Sequence, residues 1–254
     1  MSVLKLSRDR KVSPKAKFSS KRWTPEIPNA FGLPAHESCP GKTETCENIC
    51  YAFRLERAYT STANLLKHNL ENLQATGDSV VKMEVLLTEL VQEYLDSHNR
   101  IEKLRGETYK KAFRIHWDGD FYSINYAKAW AKVIKKFPEV SFWAYTRSFR
   151  TPVNVVPHLY NIDNLALYLS VDKDNLAEAK KITKKYPNVR VAALGTSFAV
   201  AASTIMHPSV GRNAPKCPEQ TGRYALVEEG EGACIKCNMC VEGTNNVLFS
   251  ISKK

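Results

Sequence analysis

The chain has 254 residues, 43% of them hydrophobic, 10% aromatic and 25% charged. That composition supports one sizeable core with a small appendage and excludes wholesale disorder. No apolar run is long enough to span a membrane, and the amino-terminal stretch lacks the apolar segment of a secretory leader, so a cytoplasmic protein with no membrane partner is expected.

The net charge of +11 is concentrated at the start. Residues 1–25 hold Lys5, Arg8, Arg10, Lys11, Lys15, Lys17, Lys21 and Arg22 against Asp9 alone. Interspersed Ser and Pro predict a flexible basic arm over 1–30. Such an arm holds phosphate backbones by releasing counterions, which points to nucleic acid, DNA ahead of RNA. A solubilising tail is the plainer alternative. Residues 24–40, rich in Pro, read as an extended loop, so no strand is predicted ahead of Cys39.

Seven cysteines, with no secretory leader, argue against a disulfide framework. The early three, Cys39, Cys46 and Cys50, follow C-x6-C-x3-C. Three thiolates can hold a four-iron cluster with one iron left open. A zinc site completed by His36 is the alternative. The late four are Cys217, followed by Pro, and Cys234, Cys237 and Cys240 spaced C-x2-C-x2-C. That pattern resembles the ligand set of bacterial ferredoxins, with a four-cysteine zinc as the competitor.

Helical periodicity covers 52–74 and 79–97, with Gly77 ending the first helix and Asp78 capping the second. Strands are predicted at 111–117, 140–148, 165–172 and 188–195, alternating with helices at 123–137 and 175–186. Strand-like stretches flank the late cysteines. Apolar strands alternating with helices predict a parallel sheet, so the fold class is α/β, a complete or partial parallel β/α barrel over 31–205. A small cysteine-rich metal-binding module is expected over 206–254.

In such folds chemistry gathers at the carboxyl ends of the strands. Those ends supply Asp118, Gly119 and Asp120, then Tyr145 and Arg147, then Ser170 and Asp172. Asp118, Asp120, Asp172, Tyr145 and Arg147 are the catalytic candidates. Gly119, Asp120 and Ser170 are the cofactor-binding candidates. Asp118 and Asp120 could equally cap the next helix. His116 reads as a core histidine, and Trp117, Trp143 and Tyr145 as core or base-stacking side chains.

The segments LPAHESCP…CYA, RIHWDGDFYSINYAKAW and FWAYTRS, with the late cysteine pattern, resemble the gene product 88 family of bacteriophage proteins over about residues 31–243. That resemblance implies a phage origin and hence a host-cytoplasmic setting. The order of features also resembles a radical S-adenosylmethionine barrel. By that resemblance Cys39, Cys46 and Cys50 hold the catalytic iron–sulfur cluster, Gly119 and Asp120 meet the cofactor's methionyl group, and the late four hold an auxiliary cluster. The expected function is an iron–sulfur enzyme modifying nucleic acid or a nucleotide precursor, served by an electron donor. Two alternatives stand beside it. One is a base-exchange transglycosylase installing a modified guanine, with Asp118 or Asp120 paired with Asp172 and a structural zinc. The other is a non-enzymatic, metal-stapled nucleic-acid-binding protein.

Overall fold

The computed structural model describes residues 2–205 and 214–251, so the first eight residues of the expected cysteine-rich module lie outside it. Strands β1 (Ala16–Ser19) and β2 (Arg22–Pro25) form an antiparallel hairpin. Helices α1 (Glu44–Ile49), α2 (Tyr51–Ala58), α3 (Thr60–Gln74) and α4 (Val80–Arg105) follow. Then come β3 (Ala112–Ile115), α5 (Ile124–Lys136), β4 (Ser141–Thr146), the small ladder of β5 (Phe149–Arg150) with β6 (Val153–Asn154), and α6 (Val156–Leu159). The chain continues through β7 (Leu165–Val171), α7 (Leu176–Lys185), β8 (Arg190–Gly195) and α8 (Phe198–Ile205). It closes with the ladder of β9 (Val227–Glu228) and β10 (Glu231–Gly232), helices α9 (Ala233–Cys237) and α10 (Met239–Glu242), and β11 (Val247–Ser250).

Five strands make one parallel sheet in the order β11-β8-β7-β4-β3, curled into a half barrel. The predicted parallel α/β architecture is therefore present as a partial barrel. Period-two alternation assigns the faces. Phe113, Ile115, Phe142, Ala144, Leu169, Val191 and Ala193 join the main core on the convex side, with Tyr94, Tyr126 and Trp130 from the helices. The concave face carries Ala112, Trp143, Tyr145, Ala166 and Tyr168, and the late cysteine segment packs onto it with Ile235 and Val241. The hollow of the half barrel is filled by side chains of that segment.

The loop predicted ahead of Cys39 is extended, as expected, yet it also joins the sheet. Ala30 forms a parallel bridge with Arg114: Arg114 N donates to Asn29 O at 3.1 Å and Phe31 N to Arg114 O at 3.0 Å. Residues 29–33 thus run beside β3 as a short sixth edge. Pro28 and Pro34 hide this from a propensity reading.

The flexible basic arm expected over 1–30 is not seen among residues 2–30. Leu4, Val12 and Ile27 are buried, because the open edge of the half barrel offers them apolar surface. Asp9 anchors on Arg114 at 2.7 Å and Lys11 on Glu219 at 2.9 Å. What remains solvent-facing is the β1–β2 hairpin, with Lys17, Phe18, Lys21 and Arg22 exposed and Phe18 against Trp23 at 5.2 Å between ring centroids.

Two helix boundaries also differ. The helix predicted over 52–74 breaks at Tyr59, whose backbone is extended (φ −133°). Ser79, not Asp78, caps α4, with its side chain accepting from Lys82 N. Asp78 instead receives Ser123 Oγ and Asn125 Nδ2, tying the starts of α4 and α5 together.

Candidate functional site: a cysteine loop stapled across the strand ends

The three early cysteines lie in the crossover that leaves residues 29–33. Thr43 caps α1, accepting Cys46 N at 3.1 Å, and so presents Cys46 in the first turn. Cys50 ends that helix and starts the next, its sulfur accepting Phe53 N at 3.4 Å. A kinked pair of short helices is what the C-x3-C spacing yields here.

This loop is fastened over the carboxyl ends of three strands. Thr43 Oγ1 donates to Asp172 at 2.7 Å, after β7. Thr45 N donates to Asp174 at 3.0 Å. Asp120 N donates to Ser38 Oγ at 3.4 Å, after β3. Tyr51 donates its hydroxyl to Trp117 O at 2.9 Å. Two glycines permit the fit. A Cβ on Gly41 would collide with the backbone carbonyl of Arg147 after β4. One on Gly119 (φ +77°) would stand 2.5 Å from Ser38 Oγ and 2.7 Å from Leu33 O. Gly119 therefore serves backbone approach between loop and strand end, rather than exposing itself to a ligand.

The candidate carboxylates divide into two kinds. Asp120 is fully engaged: it accepts Thr146 Oγ1, Arg147 N and Phe121 N, each at 2.7 Å. Asp172 is also engaged, pairing with Arg147 Nη1 at 2.5 Å and accepting Asp174 N at 2.9 Å besides Thr43. Asp120, Asp172 and Arg147 thus form a scaffold joining β3, β4 and β7 to the cysteine loop. Asp118 is different. It is 3% exposed, and both of its oxygens lack a partner at ordinary hydrogen-bond geometry. Burial, then the nearby Glu56 carboxyl on α2, push it up to about 8. Its negative form calls for a cation that the protein does not supply. Neither aspartate caps a helix; Ser123 caps α5.

The three thiols share this electrostatic environment. Burial raises all of them, with Asp120 and Cys46 acting on Cys39, Cys50 acting on Cys46, and Asp118 acting on Cys50. Raised thiols are poor free nucleophiles, which leaves metal ligation as the chemistry these side chains suit. His36 is directed elsewhere. Its ring stacks on Phe53 at 4.4 Å and its Nδ1 lies 3.8 Å from Glu47, so a zinc completed by His36 gains no support from the geometry. Among the described residues, no three His, Cys, Asp or Glu side chains close around one point as a single ion requires. A four-iron cluster carries its thiolates on separate corners, further apart, and that donor set fits three soft sulfurs that sense one another's charge.

The late cysteines form a second neighbourhood under the half barrel. Cys217 sits where its N donates to Leu248 O at 2.9 Å, beside β11. Cys234 and Cys240 pack on Trp143, Tyr145 and Ala166. Cys240 is pushed up to about 11 by burial, against a hydrogen bond from Tyr145, and it senses Cys217 and Cys237. Tyr145, proposed for the substrate site, is therefore committed to the late group, with Tyr168 at 5.4 Å between centroids. Trp143 is core. Ser170 offers its carbonyl to Asn175 Nδ2 at 3.0 Å and faces the concave side near Asp172. A cleft of about 390 Å³, lined by Pro215, Pro218, Tyr224, Cys237 and Met239 among others, opens beside Cys237.

His116 is a core histidine, as read. Burial and the Arg114 charge push it down to about 3, and Nε2 meets Tyr126 Oη at 2.9 Å. The sequence reading missed Thr43, Glu56, Tyr51 and Arg114. Arg114 had a signal, a lone charge inside the apolar strand KAFRIHW. Glu56 had one too, lying six residues beyond Cys50 on a helix.

The family model described as Gene product 88 matches residues 2–243. The Gene 88 protein of Mycobacterium phage L5 is 37% identical over 257 residues, covering 100% of both chains. That of Mycobacterium phage D29 is 35% identical over 258 residues, again covering 100% of both. No solved structure matches. Among the described residues, no helix is long and apolar enough to cross a membrane.

Proposed function

Since this chain belongs to the Gene product 88 family of bacteriophage proteins, we propose that it is an iron–sulfur enzyme whose open centre is held by Cys39, Cys46 and Cys50. Such a cluster, with one iron free, supplies reductive cleavage of S-adenosylmethionine and a radical that acts on a C–H bond. The substrate class is nucleic acid or a nucleotide precursor.

The observation that carries this reading is the uncommitted Asp118. It is the one strand-end aspartate of three without a scaffold role, and it lies within electrostatic reach of Cys39 and Cys50. A buried carboxylate beside Glu56 binds an ammonium group, and the amino group of an amino-acid-like cofactor has that charge. Asp118 therefore takes the cofactor role first given to Asp120. Arg147 and Asp172 hold the loop and fix its distance from the strands. The hollow below is filled, which confines substrate to the rim near Ser170.

What supports a polyanionic substrate is charge: an excess of eleven and a hairpin exposing Lys17, Lys21 and Arg22. A reducing partner would approach through the cleft beside Cys237, the exposed side of the late group. The base-exchange alternative needs two free carboxylates as nucleophile and acid/base. Asp120 and Asp172 are both engaged, so the geometry favours the first reading.

The test is anaerobic purification of the full chain, with iron, sulfide and zinc content measured. Reduced protein is then incubated with S-adenosylmethionine, and release of 5′-deoxyadenosine is followed. The expected result is a brown protein that releases it, and a Cys39→Ala variant that does not. A colourless protein with stoichiometric zinc and no iron would falsify the proposal.

A further inference from the structure

Arg114 is the charged side chain on the concave face of β3, and its guanidinium meets three separate parts of the chain. Nη1 donates to Asp9 Oδ2 at 2.7 Å. Nη2 donates to Tyr51 Oη at 3.3 Å. The guanidinium carbon stands 5.7 Å from the centroid of the Tyr145 ring. Its Nε is buried without a partner.

Two of those contacts lead to cysteines. Tyr51 directly follows Cys50 of the early group, and its own hydroxyl fixes it to Trp117 O. Tyr145 hydrogen-bonds Cys240 of the late group and packs with Cys234 and Cys240. The Arg114 charge acts on both Cys234 and Cys240, favouring their ionised forms against burial. A buried ion pair with Asp9 would explain Nη1 alone. It leaves unexplained why the same guanidinium reaches a residue adjoining one cysteine group and stacks on a residue bonded to the other.

We propose that Arg114 is a positioning residue that couples the two cysteine groups, raising the reduction potential of the late centre by its charge and holding the early centre's loop through Tyr51. This rests on the iron–sulfur reading above. Reducing a thiolate-bound cluster adds one negative charge, and a fixed cation in a low-dielectric interior stabilises that extra charge. Asp9 offsets part of the guanidinium's charge. Lys11, which also acts on Cys217 and Cys234, adds a second cation that is paired with Glu219 in the same way. The guanidinium is suited to this place because it stays ionised when buried and its flat face can stack while its edges donate.

The experiment is a redox titration of the anaerobic full-length protein followed by electron paramagnetic resonance. It compares wild type, Arg114→Lys, Arg114→Gln and Tyr51→Phe, with iron content measured for each. Arg114→Gln is expected to shift the late centre to a more negative potential, and Arg114→Lys to retain most of the wild-type value. Tyr51→Phe is expected to change the early centre's signal while leaving the late potential in place. Arg114→Gln with both centres loaded and potentials unchanged overturns the proposal, as does an early signal indifferent to Tyr51→Phe. If Arg114→Gln does not fold, the Lys and Tyr51→Phe variants decide. Absence of iron from wild type defeats the underlying enzyme reading instead, so the two failures are distinct.

Discussion

Asp118 is a carboxyl group with two buried oxygens and no partner at ordinary geometry, beside a second carboxyl, Glu56. Its proton is held up to about 8, whereas the same group in an unfolded chain titrates near the ordinary value of 3.8. Between those values the folded chain binds the extra proton. Stability therefore falls as pH rises from about 4 through 8. Asp118→Asn in metal-free protein removes that loss. Its melting temperature should exceed wild type by several degrees at pH 8.5 and by much less at pH 5.0. Equal shifts at both values would mean that Asp118 has a partner in solution. In the loaded protein the same substitution should weaken cofactor binding at least tenfold, measured by equilibrium titration with S-adenosylmethionine.

At the scale of elements, the crossover between residues 33 and 51 is a local structure made by tertiary bonds. Helix α1 has six residues, too short to stand alone. It exists because Thr43 caps it and anchors on Asp172. Thr43→Val keeps the shape and removes both bonds, and should cost about 2 kcal/mol, leaving Asp172 with one donor fewer. Thr43→Ser should restore most of it, as chemical denaturation would show. Gly119→Ala places a methyl against Ser38 and Leu33 at positive φ and should prevent the loop from closing, read as loss of iron from the early site with the late site retained. The sequence showed the cysteines and the strand-end aspartates, since spacing and period are local. It did not show which aspartate was free. That depended on Thr146 and Arg147, which lie about one βα unit further along the chain. Tyr145 was misplaced for a related reason. Strand alternation set it on the concave face, and only the return of Cys240 to that face decided its partner.

Across the whole molecule, the parallel strand-and-helix alternation was legible because each sheet strand is a short apolar run between helical patterns. The edge at residues 29–33 was not, because prolines bracket it and its pairing is one bridge with a distant strand. Nor was the packing of residues 2–12, whose composition reads as solvated while Leu4 and Val12 sit at 1% and 0% exposure. Deleting residues 2–12 should therefore destabilise the fold by on the order of 3–5 kcal/mol, from two buried side chains and the stranded Arg114. A disposable tail would leave the unfolding midpoint unchanged, and a urea titration of the truncated chain tells the two apart.

The strands of the sheet are laid side by side in the order in which they are encoded, from the edge at residues 29–33 to β11. During synthesis each new strand can dock on its predecessor as it leaves the ribosome, while the aromatic hollow stays open to water until the last forty residues appear. A chain stopped before Cys217 would present β8 as a bare margin and Trp143 and Tyr168 uncovered, a state prone to self-association. The closing segment thus doubles as a quality seal: only a finished translation product hides its own sticky interior.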